Sequence, residues 1–549
     1  MVGRKQGDMN QFSNQLGLLA VLIGSATPAC ALEDSGSGVT GTARSAVTTR
    51  EPSREHDLPP IRSGAYPAGR GSPQHGGGVT SGTWTTVATT PNIAAGFSLL
   101  LTDGSVMVQD LTNGGGDWWR LAPDSTGSYA NGAWTQLPSM PNGYAPLYFA
   151  SAVLPDGRVV MVGGEYQAFE PVWTTQGAVY DPVANSWTSL APPSGWTTIG
   201  DAQSIVLADG RYVLANCCTT DMAVLDPATL TWSAITSAGK ADIFDEEGWT
   251  LLPNGNVLTV DSNNLTVPTN SELYTPPDAH HAGGWTSGGS TNVVIADLGS
   301  WEVGPALIRP DNTIFQSGAT GHTAIYDIRH QTWRAGPDFP TIAGEGQLDQ
   351  ADGPAALLPN GNVLLAASAG LFNTPAHFVE FDGTNLTEVA APADSVDDSS
   401  YNINFLLLPS GDVLETDFSA DLELYTQANA GSSCRDRGSP EPELEALPSS
   451  LVRGRTYTFS GEQLHGISAG ISYGDDAQAA TDYPIVQITN RASGHVQYGR
   501  THAFSNFSIA RGAHSSAQLD IPAALEPGIS ELVVIANGVG SEPVRVRIK

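Results

Sequence analysis

The feature that most constrains the fold is a hairpin motif that recurs seven times in the 549-residue chain. Each copy has an apolar strand, a tight turn that is mostly Asp-Gly or Asn-Gly, and a second Val-rich strand, as in SAVLPDGRVVMVGG. Such turns join antiparallel strands. A period near 50 residues indicates a repeat architecture in which equivalent units pack side by side. The turn positions are Gly104, Gly157, Gly210, Gly255, Asn312, Gly361 and Gly411.

A second pattern between the hairpins predicts two outer strands for each repeat. It runs from Tyr180-Asp181 to Trp187 and recurs from Tyr326-Asp327 to Trp333. The last hairpin is followed by only one such strand, whereas residues 83–87 resemble an outer strand that precedes the first hairpin. We therefore predict an all-β, seven-bladed propeller over residues 82–436, whose N-terminal strand completes the last blade and removes the free sheet edge.

Past Pro442 the repeat stops, and segments such as TYTFSG and ELVVIANG alternate in the manner of half-buried strands. Short alternating strands of this kind predict an antiparallel sandwich. We assign residues 437–549 to an immunoglobulin-like domain.

The N-terminus reads as a secretion signal over residues 1–31, with Arg4 and Lys5 before an apolar run and small residues at its end. Cleavage before Cys30 would instead leave a lipid-anchored protein. Residues 32–81 are rich in Gly, Ser, Pro and Arg and predict a disordered linker. We expect a secreted or cell-surface monomer without a transmembrane segment.

The charge balance excludes polyanionic partners. The net charge is −32, and lysine occurs only at positions 5, 240 and 549. Binding to nucleic acid needs a basic surface, which this composition does not supply. The acidic composition suits the binding of cations, or of neutral sugars whose hydroxyls donate hydrogen bonds to carboxylates.

The Leu-Pro-Asp-Gly hairpins, the Gly163-Gly164 end of a repeat and the C-terminal sandwich together resemble the galactose oxidase and glyoxal oxidase family. The resemblance implies a kelch-type propeller followed by an early-set immunoglobulin-like domain. It extends over residues 82–549. Kelch folds carry many unrelated activities, so the resemblance says more about fold than about function.

Counting from the turns predicts which residues share the opposite face of the propeller. Positions nine or ten residues before a turn, or six to eight after it, should lie together there. This rim is rich in carboxylates. They could accept hydrogen bonds from the backbone N–H groups of neighbouring blades, or hold Ca²⁺. They could also bind a polyol beside Trp249 and Trp301. The candidate ligand-binding residues are Asp201, Glu246, Glu302, Asp352 and Asp261.

The resemblance implies a copper site whose ligands this chain carries only in part. Tyr148 and Tyr401 stand at the family's two tyrosine positions, but Asn402 replaces a histidine. Ala95 stands where the radical tyrosine's cysteine partner is expected. His502 is the candidate for the remaining histidine, and we expect it to lie apart from the tyrosines. Copper-radical oxidase activity is therefore not expected.

Cys217 and Cys218 are adjacent and should lie on the same rim. Two alternatives remain open for them, a vicinal disulfide or two buried thiols.

These observations favour an extracellular protein that recognises a glycan or small polyol. The alternatives are a copper radical oxidase, or a lyase or hydrolase that uses rim carboxylates as acid and base.

Overall fold

The computed structural model describes residues 82–201, 203–428, 441–474 and 476–549. The predicted signal peptide and linker, with Cys30, lie outside the described residues, as does Cys434. Within them, no helix is long and apolar enough to cross a membrane. The helical elements described are short 3-10 turns: Leu111–Asn113, Pro141–Gly143, Ser395–Asp397 and Ser400–Asn402.

Seven sheets of the described chain each contain a run of four antiparallel strands, consistent with a propeller-like all-β fold. We number these sheets in the order of their hairpins. Sheet 1 comprises Ala95–Leu100, Val106–Asp110, Asp117–Ala122 and Ala133–Gln136. Sheet 2 comprises Ala150–Val153, Val159–Val162, Gly177–Asp181 and Ser186–Ser189. Sheet 3 comprises Ser204–Val206, Tyr212–Ala215, Met222–Asp226 and Thr231–Ile235. Sheet 4 comprises Thr250–Leu251, Val257–Val260, Asn270–Thr275 and Gly284–Ser290.

The remaining three sheets follow the same plan. Sheet 5 comprises Ala306–Ile308, Thr313–Gln316, Ala324–Asp327 and Thr332–Ala335. Sheet 6 comprises Ala355–Leu357, Val363–Ser368, Ala376–Phe381 and Leu386–Glu388, and its first strand also pairs with Ile471–Ser472. Sheet 7 comprises Asn404–Leu407, Val413–Thr416, Glu423–Thr426 and Thr83–Thr86.

Sheet 7 is completed from both ends of the repeat region, which confirms the predicted closure. Thr83–Thr86 pairs antiparallel with Glu423–Thr426, with Thr83 opposite Thr426. The Trp84 ring packs against Tyr425 and against Phe378 of sheet 6, with ring centroids 5.0 Å and 4.9 Å apart. Aromatic packing of this kind adds to the backbone pairing. The N-terminal strand is thus fixed to the last sheet and to its neighbour.

The hairpin turns adopt the conformation that their sequences predict. Gly157 has φ of 82°, and the equivalent Asn312 has φ of 66°. Glycine adopts this left-handed region without a steric penalty, and asparagine tolerates it better than most residues. The carboxylate of Asp156 accepts a hydrogen bond from the Arg158 N–H across the turn. Local chemistry therefore determines where each hairpin reverses.

Two small sheets and a nine-stranded C-terminal sheet complete the described structure. One small sheet contains Pro146–Leu147, Tyr166–Gln167 and Glu170–Pro171, and the other contains Thr341–Ile342 and Gly346–Gln347. The strands of the C-terminal sheet are Glu443–Ala446, Ser450–Leu451, Thr456–Glu462, Ile485–Asn490, Val496–His502, His514–Asp520, Gly528–Ala536, Val539–Gly540 and Val544–Ile548.

The C-terminal sheet contacts the end of the repeats that carries the hairpin turns. The Thr501 N–H donates to the Thr102 carbonyl at 3.1 Å, and the Arg500 guanidinium donates to the Asp156 carbonyl at 2.8 Å. The Phe507 N–H donates to the Ala208 carbonyl at 2.8 Å. These contacts span three successive turns. These contacts leave the opposite end of the repeats available for a functional site.

One segment of the C-terminal part, residues 468–483, contacts the first strands of several repeat sheets; we call it the inserted segment. Ile471 lies opposite Ala356 of sheet 6. Farther along, the Ala477 N–H donates to the Phe149 carbonyl, and the Ser151 hydroxyl donates to the Gln478 carbonyl. The inserted segment is therefore in contact with inner strands of two non-adjacent sheets.

Candidate functional site

Three carboxylates from successive repeats meet at the end of the sheets away from the hairpin turns. Glu246, Glu302 and Asp352 each precede the first strand of their own sheet, in sheets 4, 5 and 6. One oxygen from each lies within 4.8 Å of the others. The three side chains come together because they stand at equivalent distances before their turns. Of the five rim carboxylates predicted from sequence, these three converge.

Three tyrosines lie together beside this carboxylate group, with Asp352 near both Tyr148 and Tyr473. The Tyr148 hydroxyl donates to the backbone carbonyl of Tyr401 at 3.4 Å, and Tyr473 of the inserted segment donates to the same carbonyl. The rings of Tyr148 and Tyr473 lie 6.3 Å apart. We call the set Glu246, Glu302, Asp352, Tyr148, Tyr401 and Tyr473 the tyrosine–carboxylate cluster. The phenols can donate hydrogen bonds, and the carboxylates can accept them.

Tyr148 and Tyr473 remain protonated at neutral pH. Burial, followed by the nearby Tyr401, raises the pKa of Tyr148 well above its ordinary value. Burial and the nearby Tyr148 and Asp352 raise the pKa of Tyr473 in the same direction. A neutral phenol acts as a hydrogen-bond donor rather than as a phenolate metal ligand.

Two members of the cluster have backbone conformations that L-residues rarely adopt. Tyr148 and Asp352 both have φ of 48°. They precede the first strands of sheets 2 and 6 at matching positions. Such conformations cost about 1 kcal/mol or more and are concentrated at functional sites. Both residues are buried, each with 8% of its surface exposed.

Asp201 lies apart from the cluster, beside Cys217 and Cys218. The two Sγ atoms are 2.7 Å apart, and both cysteines are buried. The vicinal disulfide and the pair of buried thiols therefore both stay predictions from the sequence. Asp245 lies next to them, with its Oδ1 3.6 Å from the Cys218 sulfur. Burial, above all, raises the pKa of Cys217, with Asp245 and Asp201 adding smaller effects.

Asp261, the fifth predicted rim residue, belongs to a different buried group. It accepts hydrogen bonds from the side chains of Asn264 and Asn270 at 2.8 Å and 2.7 Å. Lys240 lies in the same group, where its ammonium contacts Asp242, Glu247 and Glu272. The one ammonium acts on four carboxylates, so the charges of this group are only partly compensated.

The residues near Tyr148 do not fit a copper ion. His502 forms an ion pair with Asp520 at 3.2 Å, in the strand that contacts the turn end of the repeats. The contact that the structure gives for its ring is thus with Asp520 and not with Tyr148 or Tyr401. Asn402 is buried beside Tyr401, and Ala95 is fully buried in the apolar core. Carboxylates and phenols are the donors present at the cluster, whereas copper prefers imidazole.

Sequence reasoning missed Tyr473 of the cluster and predicted the wrong position for Trp249. Tyr473 is not among the residues predicted from sequence, yet it reaches the cluster from the inserted segment. Trp249 was expected at the ligand face, but its ring packs against Phe244 and Trp285 in the core. The signal for Tyr473 was weak, because nothing local distinguishes an inserted loop from an exposed one.

The chain is similar in sequence to Kelch-like protein terF of Aspergillus terreus. The two are 29% identical over 125 residues, which is 22% of this chain. The match spans about a quarter of that relative's length, 25%. No protein-family model matches the chain. The similarity to a Kelch-like protein is thus limited to a part of each chain.

Two solved structures are among those similar in backbone. One is a fungal alcohol oxidase of the AA5 family in complex with copper, with a TM-score of 0.47 and 14% identity, covering 86% of this chain and 100% of that one. The other is a catalytically inactive virginiamycin B lyase from Staphylococcus aureus with quinupristin, with a TM-score of 0.43 and 10% identity, covering 63% of this chain and 100% of that one.

Proposed function

We propose that this protein is a secreted, seven-bladed kelch propeller with an immunoglobulin-like C-terminal domain that binds a glycan or small polyol without copper-radical chemistry. The observation that supports this is the convergence of Glu246, Glu302 and Asp352 with three tyrosines. The ligand would bind at the tyrosine–carboxylate cluster.

The chemistry of the cluster matches a polyhydroxylated ligand. Each sugar hydroxyl donates one hydrogen bond, which a carboxylate accepts, and it accepts one in return, which the Tyr148 phenol would donate by turning from the Tyr401 carbonyl 3.4 Å away. Hydrogen bonds to an ionised acceptor are stronger than those between neutral groups. Tyrosine rings also pack against the apolar C–H faces of sugars. The cluster supplies both partners within a small space.

The spacing of the carboxylates argues against one of the enzyme alternatives. An inverting glycoside hydrolase keeps its two carboxyl groups about 6.5–9.5 Å apart to leave room for a water molecule. Here one oxygen from each of Glu246, Glu302 and Asp352 lies within 4.8 Å of the others. Such a tight group suits recognition better than that reaction.

A glycan array followed by calorimetric titration of the best ligand tests the proposal. We expect binding by the full chain and a loss of at least tenfold in affinity in Glu246→Gln and Asp352→Asn. Glu170→Gln is the matched control, because Glu170 is exposed on the small sheet beside sheet 2.

Two results would count against the proposal. The first is the absence of any glycan or polyol ligand for the wild-type chain. The second is equal binding by wild type and Asp352→Asn. If the wild-type protein releases reducing sugar from the bound ligand and Glu246→Gln does not, the function is hydrolysis and not recognition.

A further inference from the structure

A second group of buried acids lies at sheet 7, away from the tyrosine–carboxylate cluster. Asp394, Asp398 and Asp417 each bring one oxygen within 4.8 Å of the others, and all three are buried. Asp394 and Asp398 flank the 3-10 turn Ser395–Asp397, whereas Asp417 follows the second strand of sheet 7. Two separate stretches of chain thus direct carboxylates to the same point.

Two glutamates on neighbouring strands of sheet 7 extend this group. Glu415 lies directly opposite Glu423 in the antiparallel ladder. Like charges in such cross-strand positions destabilise a sheet unless something compensates them. Glu415 and Asp417 are two residues apart along one strand direction, so their side chains point to the same face. We call Asp394, Asp398, Asp417, Glu415 and Glu423 the sheet 7 acid group.

Several oxygens of this group are buried without a hydrogen-bond partner. They are Oε2 of Glu415, Oε2 of Glu423 and Oδ2 of Asp394. Glu415 is 2% exposed and Asp394 3%. A buried polar atom without a partner is costly, and a buried charge without one is costlier still. These oxygens therefore point to a ligand that accepts electron pairs.

The electrostatics of the group agree with this conclusion. Burial and the neighbouring Asp417 and Glu423 raise the pKa of Glu415. Burial and Asp417 raise the pKa of Asp394 to about 7. The neighbours that act most on Glu415 are all carboxylates.

We infer that the sheet 7 acid group binds a single Ca²⁺ ion. Ca²⁺ takes six to eight oxygen ligands in flexible geometry, which five carboxylates and nearby backbone carbonyls can supply. Mg²⁺ retains much of its water and demands a regular octahedron, which a buried group of this kind suits less well. The ion would neutralise the opposed glutamates.

The position of the group gives the ion a structural consequence. Glu423 also pairs with Thr86 of the N-terminal strand. Its strand therefore lies between Glu415 and the strand that closes the repeats. A cation bound here stabilises sheet 7 where both ends of the repeat region meet. Calcium binding should therefore raise the unfolding temperature, whether or not any sugar is bound.

Calcium titration of the EDTA-treated full chain tests this inference. We expect Ca²⁺ to raise the unfolding temperature, with Mg²⁺ giving a smaller increase. The variant Asp417→Asn should bind one ion fewer per chain and lose the calcium-dependent increase. The exposed Asp221→Asn is the control, expected to behave as wild type.

A second measurement distinguishes a calcium site from a group of buried acids that binds no ion. In EDTA, Glu415→Gln should unfold at a higher temperature than wild type, because it removes a buried acid whose pKa its acidic neighbours raise. In excess Ca²⁺ the order should reverse. Identical calcium titrations for wild type and Asp417→Asn, or no calcium-dependent change in either, would overturn the inference.

Discussion

The Tyr473 hydroxyl donates a hydrogen bond to the backbone carbonyl of Tyr401, which joins the inserted segment to the start of sheet 7. Both residues are buried. The contact bridges 72 positions along the chain. It ties the C-terminal part of the protein to the tyrosine–carboxylate cluster at the far end of the repeats.

Tyr473→Phe tests the strength of this contact. Loss of one buried hydrogen bond should lower the free energy of unfolding by about 1–2 kcal/mol, measured by chemical denaturation. Tyr457→Phe is the control, since the Tyr457 hydroxyl accepts a bond from Val452 N–H in an exposed setting. Equal effects of the two substitutions would show that the Tyr473 contact is not special.

The double substitution Ala95→Cys with Asn402→His should not create a copper oxidase. It supplies the cysteine and one imidazole, but His502 remains paired with Asp520 at the other end of the repeats. Two phenols and one imidazole are a weak copper set. We expect no stoichiometric copper by elemental analysis and no peroxide from galactose or simple aldehydes. Copper-dependent turnover by the variant would contradict the placement of His502.

His465 should make the protein less stable in acid. Its ring is buried against Phe504 and Phe507, and desolvation lowers its pKa to about 4. Because the folded-state pKa is depressed, the stabilisation is complete above pH 6.5 and is lost as pH falls from 6.5 to about 4. That loss amounts to about 3 kcal/mol.

Urea unfolding of wild type and His465→Asn between pH 7 and 4 measures this loss. The variant should start less stable and vary less with pH. Asp482, whose pKa burial raises to about 7, acts in the opposite direction, but it is present in both proteins and cancels in the comparison. Parallel curves for the two proteins would argue against a buried neutral His465.

Lys240 should be one of the residues least tolerant of substitution. Its ammonium contacts three carboxylates and lies over the rings of Phe244 and Trp285. Lys240→Met leaves those carboxylates without a counter-charge and should cost about 3–5 kcal/mol. The loss should grow as pH rises, because the carboxyls then ionise without a partner.

Thermal unfolding between pH 5 and 8 measures this effect. Adding Glu272→Gln to Lys240→Met should recover part of the stability by removing one repelling charge. A single Lys240→Met substitution with no effect at pH 8 would show that the network is not stabilising.

The thiols of Cys217 and Cys218 should react slowly in the folded protein. They are 2% and 5% exposed, and burial raises the pKa of Cys217. Thiol reagents attack through the thiolate, so both burial and protonation protect the pair. In reduced protein carrying Cys30→Ser and Cys434→Ser, we expect two thiols to react only after unfolding in guanidinium. Rapid labelling of the native protein would contradict their burial.

The hairpins were predictable because their signals are local. Asp156 and Gly157 determine one turn through a side-chain hydrogen bond and a permitted positive φ, and the equivalent pairs determine the others. The meeting of Glu246 with Asp352 follows from the same regularity, since both stand nine residues before their turns. Equal offsets in equivalent repeats place side chains at equivalent heights.

The rest of the site depends on contacts that no local pattern records. Tyr473 reaches the cluster only because the inserted segment pairs with Ala355–Leu357 of sheet 6 and passes Phe149. Trp249 faces the core because Phe244 and Trp285 surround it. Both outcomes result from tertiary packing between segments distant in the chain.

The pairing of Thr83–Thr86 with Glu423–Thr426 also determines when the protein can finish folding. Gly82 donates to the Tyr425 hydroxyl across 343 positions, so the first strand must wait until nearly the whole repeat region has left the ribosome. Contacts so distant in sequence slow folding, and the waiting edges can pair with other chains in the meantime. Nascent chains that stop before residue 423 should therefore engage chaperones or aggregate, while the full-length chain closes on itself.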